Sequence, residues 1–333
     1  MLTSAELKKQ IVSMAGEVEA KMLAIMPDRE PKSVYSLAWD FMNRGGKRVR
    51  PFLLLKSIQA FNGDYRRGLE IAAGIEIFHN FTLVHDDIED GSEMRRGKPC
   101  LHIMHGIPMA INAGDGMFAH VFRSVAVSGL TEKEKAKVIE MMADAFIGVV
   151  DGQGYEIEWI HNNRWDIDEA LYLKMAGGKT GDLMAACARI GAYVGGASER
   201  ECEEMRMFGY EIGLAFQIQD DVLNLVGEEE KYKKEIGGDI REGKRTLIVI
   251  DALRKIDALQ KNELMGILAK KENTQEEIER AISIMKAAGS IDYAKRYADR
   301  LVYTAKKRLA AVKNPQVREE LELLADMFVN RDA

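Results

Sequence analysis

Leu7, Ile11, Met14, Val18, Met22 and Ile25 recur at steps of three and four, the period of one buried helix face. Thr3 with Glu6 just ahead of that stripe forms a capping-box pattern, and Thr131 with Glu134, Ser198 with Glu201 and Thr274 with Glu277 repeat it. A second helix is expected after the turn at Met26 to Glu30, carrying Val34, Leu37, Ala38 and Phe41, and a long one over about residues 67–89. The six prolines fall at 27, 31, 51, 99, 108 and 315, so Met109 to Asn314 is free of them and rich in helix formers. No run alternates with a period of two between hairpin turns, and no fixed repeat or low-complexity linker appears. The pattern predicts an all-α chain, one helical domain over 1–333. Residues 251–333 read as scaffold, with Arg331 in a terminal tail.

Composition narrows the function. A formal net charge of −6 argues against nucleic acid as the main partner, so any anion must be met by locally gathered cations. Cys100, Cys187 and Cys202 cannot all pair and lack metal-ligand spacing, which suits a reducing interior. No apolar run is long enough to span a bilayer, and no apolar signal core opens the chain. The expectation is a soluble, cytoplasmic protein without stable membrane insertion.

The chemistry concentrates in LVHDDIEDGSEMRRGKP, Leu83 to Pro99. Asp86 and Asp90, four apart, lie about 40° from each other on a helical wheel, so both carboxylates share one face. Like charges so placed repel unless a hard cation sits over them. Magnesium takes carboxylate oxygens and leaves its other positions to water and phosphate. The following Arg95 and Arg96 suit a phosphate on that metal. Far downstream, FQIQDDVLN at 216–224 is a near echo, placing Asp220 and Asn224 on one helix face. Its own Gly-rich connection brings Lys234, Asp239, Lys244 and Arg245.

Other stretches keep two readings. GGKRVRP at 45–51 puts Lys47, Arg48 and Arg50 beside paired glycines, a polyanion site or a solvated basic turn. His79, seven before Asp86 and about 20° from it on the wheel, is an anion contact or a satisfied core histidine. KMAGGKTGDL at 174–183 lacks the first glycine of a P-loop and follows no strand. A helix kinked at Gly177-Gly178, with Lys179 and Thr180 toward a phosphate, fits better, against a flexible surface turn. Glu76 with His79 and Glu158 with His161 have the Glu-x-x-His spacing of di-iron bundles, but that reading leaves the basic motifs unexplained.

Together GGKRVRP, the DDxxD at Asp86 to Asp90 with Arg95-Arg96-Gly97, Lys179-Thr180, Phe216-Gln217 with its aspartate pair and Gly243-Lys244 resemble the trans-isoprenyl diphosphate synthases over about residues 40–247. The resemblance implies a bundle of long, mostly antiparallel helices around a central cavity, usually a homodimer. It implies Mg2+ as cofactor, held by Asp86, Asp90 and Asp220, with Asp87 and Asp221 in support. It gives Arg95, Lys179, Thr180, Gln217, Asn224, Lys234 and Lys244 to the allylic diphosphate, and Lys47, Arg50, His79 and Arg96 to isopentenyl diphosphate. Two departures stand out. Asn224 replaces an aspartate, which makes it a contact to diphosphate or to a metal-bound water. Glu156 in GQGYE replaces an aspartate, with no consequence evident from sequence.

The same resemblance implies that residues four and five before the first aspartate, Thr82 and Phe81, set product length. A single aromatic at Phe81, Thr82 beside it and no insertion in DDxxD resemble enzymes making geranylgeranyl diphosphate, with Phe78 as a further candidate for shortening the cavity. Farnesyl and geranylfarnesyl diphosphate are the alternative products. A class I terpene cyclase would have no use for a second diphosphate site, and a non-catalytic regulatory subunit would not need intact aspartate motifs.

Overall fold

All four capping boxes start helices in the computed structural model, which describes residues 2–226, 236–270 and 272–330; Lys234 and Arg331 lie outside the described residues. Helix α1 (Ser4–Ile25) opens on Thr3, whose hydroxyl accepts from Glu6 N–H while the Glu6 carboxylate accepts from Thr3 N–H, satisfying two end groups reciprocally. Its buried residues are Leu7, Ile11, Met14, Val18, Met22 and Ile25, the stripe expected. Further on, α2 (Lys32–Met42), α3 (Val49–Ala60), α4 (Leu69–Glu89), a short α5 (Leu101–His105), α6 (Ile107–Ala126) and α7 (Glu132–His161) follow. Then come α8 (Glu169–Ala176), α9 (Asp182–Val194) and α10 (Glu199–Val226). The chain continues with α11 (Gly238–Arg241), α12 (Leu247–Lys255), α13 (Ala258–Leu268), α14 (Gln275–Ala287), α15 (Ser290–Arg308) and α16 (Pro315–Val329).

Sequence periodicity missed one element. A two-stranded ribbon, β1 (Met94–Arg95) with β2 (Lys98–Pro99), pairs Arg95 opposite Lys98. Two residues per strand are too few to show alternation.

The residues group into two compact units. One comprises 1–144, 184–206 and 309–324, the other 145–183, 207–308 and 325–333. In the first, α4 and α6 pack closely because glycines remove side chains where they meet. A Cβ on Gly74 would lie 2.0 Å from Ser124 Oγ, and one on Gly114 would lie 2.5 Å from His85 Nε2. In the second, α8 passes into a π-helical turn, Gly177–Gly181, the kink expected at the glycine pair. Such single-turn bulges are frequent at functional sites. Here Tyr210 lies against two of the glycines, and a Cβ on Gly177 would reach within 2.0 Å of its hydroxyl.

Candidate active site

The last turn of α4 sorts its aspartates by burial. Asp86 and Asp90 are half-buried while Asp87 is 1% exposed. Arg95 answers both kinds, donating from Nη2 to Asp86 Oδ2 at 3.0 Å and from Nε to Asp87 Oδ1. Burial raises the Asp87 carboxyl's pKa even though Arg95 opposes the shift, and Cys100 hydrogen-bonds it as well. Burial likewise pushes the Cys100 thiol up to about 12, so it stays protonated and donates. Asp87 thus anchors the arginine, and Asp86 and Asp90 are the carboxylates left at the accessible helix end.

The ribbon aims the arginines. Arg96 (φ 54°) and Gly97 (φ 76°) form its two-residue loop, and positive φ at both positions defines the turn whose twist matches paired strands. Arg96 then donates to Asn80 Oδ1 at 3.3 Å. Asn80 is fully buried and is itself held by Glu76, whose backbone carbonyl and carboxylate accept from its amide.

GGKRVRP splits its cations between two jobs. Arg48 takes a left-handed conformation (φ 48°) before α3. Its guanidinium is spent on structure, donating to Glu19 at 3.1 Å, buried Glu76 at 2.6 Å and Met42 O at 2.9 Å. The paired glycines let the loop lie against two guanidiniums, since a Cβ on Gly46 would sit 3.2 Å from both Arg48 Nη1 and Arg96 Nη2. Lys47 is exposed on that loop and Arg50 is half-buried. Arg50 Nη1 lies 3.2 Å from His79 Nε2. Arginine is only a donor, so Nε2 is the acceptor and the neutral ring carries its proton on Nδ1. Burial, then the charges of Arg50, Arg96, Arg95 and Arg48, hold His79 well below its usual value. Burial also brings Arg96 down to about 10. Cations gathered around a neutral imidazole are unfavourable alone and complementary to a diphosphate.

The second unit repeats the sorting on α10. Asp220 is half-buried, Asp221 and Asn224 are 5% exposed. Asp221 accepts from Tyr172 hydroxyl and from Gln217 amide, each at 2.8 Å. Burial and the neighbouring Asp239 raise its carboxyl well above the usual range. Thr180 donates to Gln217 Oε1 at 2.8 Å, so the π-turn and α10 share one hydrogen-bonded chain. Asn224 Oδ1 accepts from Asp239 N–H at 3.1 Å, pinning the turn that leads to Lys244. Lys244 approaches Asp239 at 3.5 Å and pairs with Glu242.

Glu156, to which sequence attached no role, accepts from Lys179 Nζ at 2.5 Å. Sequence reasoning also missed Asn80 and Tyr172, whose partners lie 16 and 49 residues away. Phe118 is a fourth omission. Phe81 packs on it at 5.1 Å between ring centroids, on His85 at 4.7 Å and on Phe78 at 5.6 Å. Phe81 and Thr82 are half-buried, the Thr82 hydroxyl donating to His79 O.

Among the described residues no three His, Cys, Asp or Glu gather closely enough to hold a metal by themselves. Magnesium does not need such a cage; it keeps several waters and shares carboxylates with substrate phosphates. Half-buried Asp86 and Asp90 at one helix end, and half-buried Asp220 on another helix, fit that habit.

Hard-cation carboxylates beside guanidinium and ammonium groups, on an all-helical frame, put the chain in the class of helical diphosphate-binding enzymes. The sequence profile described as polyprenyl synthetase matches residues 31–285. A short chain isoprenyl diphosphate synthase of Methanocaldococcus jannaschii is 41% identical over 305 residues, 91% of this chain and 90% of the relative. A geranylfarnesyl diphosphate synthase of Aeropyrum pernix is 35% identical over 93% of this chain and 96% of the relative. The crystal structure of a geranylgeranyl pyrophosphate synthetase from Pyrococcus horikoshii superposes with a TM-score of 0.93 at 37% identity, covering 98% of this chain and 99% of that one. The chain belongs to the polyprenyl synthetase family, and its fold is the all-α isoprenoid synthase fold.

Proposed function

We propose that this chain is a trans-prenyltransferase joining isopentenyl diphosphate to dimethylallyl, geranyl and farnesyl diphosphates, with geranylgeranyl diphosphate as its product. The observation that carries this reading is the repeated sorting of aspartates. On both α4 and α10 a half-buried carboxylate precedes a buried one tied into local hydrogen bonds, and each unit has its own cations. When bound, magnesium on Asp86, Asp90 and Asp220 supplies Lewis-acid charge to the departing diphosphate.

Arg95, Lys179, Thr180, Gln217, Asn224 and Lys244 hold and neutralise that group, as does Lys234 if the resemblance is followed. Their contribution is largest when the allylic C–O bond breaks and negative charge grows on oxygen. Lys47, Arg50, His79 and Arg96 fix isopentenyl diphosphate so that its double bond forms the new carbon–carbon bond. The proton then leaves, by analogy with the family, to diphosphate. The central cavity that the resemblance implies, if apolar as in the family, keeps water from the cationic fragment.

Support for a twenty-carbon product is the aromatic tier of Phe81, Phe78 and Phe118, with Thr82 adjoining. The relative from Aeropyrum pernix keeps geranylfarnesyl diphosphate as the alternative, and farnesyl diphosphate remains a shorter one. A second copy of the chain is the proposed partner. Ile103, Met104, Ile107, Met109 and Ile111 stay exposed over α5 and the start of α6, more apolar surface than a lone soluble chain usually shows in so short a stretch. No described helix is long and apolar enough to cross a membrane, and a cytoplasmic location is part of the proposal.

Turnover with geranyl and isopentenyl diphosphates tests the reading. Chelator should abolish it and magnesium restore it, and Asp86→Ala should lower kcat about 10²–10³-fold. Full activity of Asp86→Ala, or turnover in excess chelator, contradicts the assignment.

A further inference from the structure

Arg245 follows Lys244 directly, and the function just proposed gives it no task. It is 4% exposed. Its guanidinium stacks 3.8 Å from the centroid of the Trp165 ring. Nη2 donates to Asn163 Oδ1 at 3.0 Å, Nε to Arg164 O at 3.3 Å, and Nη1 to Gly243 O. Each of these acceptors is neutral. Burial alone lowers its pKa to about 10, so the group stays cationic at neutral pH. A buried cation resting only on neutral acceptors is costly unless some other negative potential meets it.

The end of α7 supplies that potential. Asn162, Asn163 and Arg164 donate back to Glu158 O, Ile160 O and Trp159 O, closing a 30-residue helix. Asn163 is left-handed (φ 48°), as helix-closing residues often are, and Trp165 Nε1 donates to its side chain at 3.0 Å. The negative end of the helix dipole therefore lies where the guanidinium docks. On its other side Arg245 grips Gly243 O, the carbonyl of the residue just before Lys244. Gly243 itself turns with φ 68°, and a Cβ there would come 2.6 Å from Leu268 O.

We propose that Arg245 is a positioning residue: clamped between the α7 terminus and Gly243 O, it fixes the peptide that presents Lys244 to the allylic diphosphate. This rests on the reading of Lys244 as an allylic-diphosphate contact. Arginine suits the task because its planar fork makes three separate hydrogen bonds while its face stacks. Lysine offers one ammonium and no stacking plane.

The test is a double-mutant cycle with Arg245→Met and Lys244→Ala, read as Kd for geranyl thiolodiphosphate with magnesium and as KM for each substrate. Arg245→Met should weaken the allylic analogue about tenfold and leave the KM for isopentenyl diphosphate within about twofold. In the Lys244→Ala background the same change should cost less than about twofold, because the group it positions is gone. Arg245→Lys should not rescue it. Additive losses, an equal rise in both KM values, or rescue by lysine would overturn the proposal. If Lys244→Ala alone leaves analogue binding unchanged, the reading of Lys244 falls and takes the proposal with it. Should Arg245→Met fail to fold, Trp165→Leu, which removes the stacking face and the indole hydrogen bond to Asn163 Oδ1 but leaves the guanidinium's own three acceptors in place, must show the same selective loss.

Discussion

His79 shows how far one side chain's charge state depends on its neighbours. The folded protein keeps the ring neutral well below its ordinary pKa, whereas the unfolded chain takes up a proton as pH drops through about 6.5. Between those two values the unfolded state binds more protons, so folding stability falls as pH falls. His79→Gln removes that proton-linked term. From pH 7 to pH 5 its Tm should therefore fall less steeply than the native protein's, and parallel curves would show that the imidazole is not held neutral. Asn80 carries a second expectation at this scale. Asn80→Leu leaves Glu76 short of a donor and Arg96 short of an acceptor, costing about 1–3 kcal/mol in denaturant unfolding. It should also raise KM for isopentenyl diphosphate severalfold while leaving the allylic KM nearly unchanged.

Among the elements, the π-turn shows what patterning can and cannot reveal. GGKTG announced a break in the helix, since paired glycines weaken it and no strand precedes for a phosphate loop. The capping boxes and the α1 stripe were equally legible because they depend on residues three or four apart. The support of the site was not legible, because Glu156 meets Lys179, Tyr172 meets Asp221 and Phe118 meets Phe81 only after folding. The Arg95–Arg96 ribbon was hidden for a different reason: its strands are too short for a period. Gly152 on α7 makes the tertiary constraint testable. A Cβ there would lie 2.2 Å from Lys179 N, backbone that cannot yield without moving the turn. Gly152→Ala should cost about 1–3 kcal/mol by overpacking and raise the allylic KM; native-like stability and KM would show that the turn has slack.

For the whole molecule, the all-α architecture followed from helix periodicity and the absence of strand runs, while the division into two units did not. Each unit draws on three separate chain segments, and no local composition change marks where they part. Product length is also a property of this scale. Phe81→Ala removes the ring that meets Phe78, His85 and Phe118 and should shift products beyond twenty carbons, read by reversed-phase chromatography of the prenyl alcohols. An unchanged distribution would remove Phe81 from chain-length control.

An enzyme of the proposed kind extends an allylic diphosphate by one isoprene unit at a time with magnesium. Incubating the chain with radiolabelled isopentenyl diphosphate, farnesyl diphosphate and magnesium, then separating the dephosphorylated products, tests this most directly. The expected result is a labelled twenty-carbon prenyl alcohol that forms only when both substrates are present. An unlabelled hydrocarbon from farnesyl diphosphate alone, or no label in any product, would contradict it.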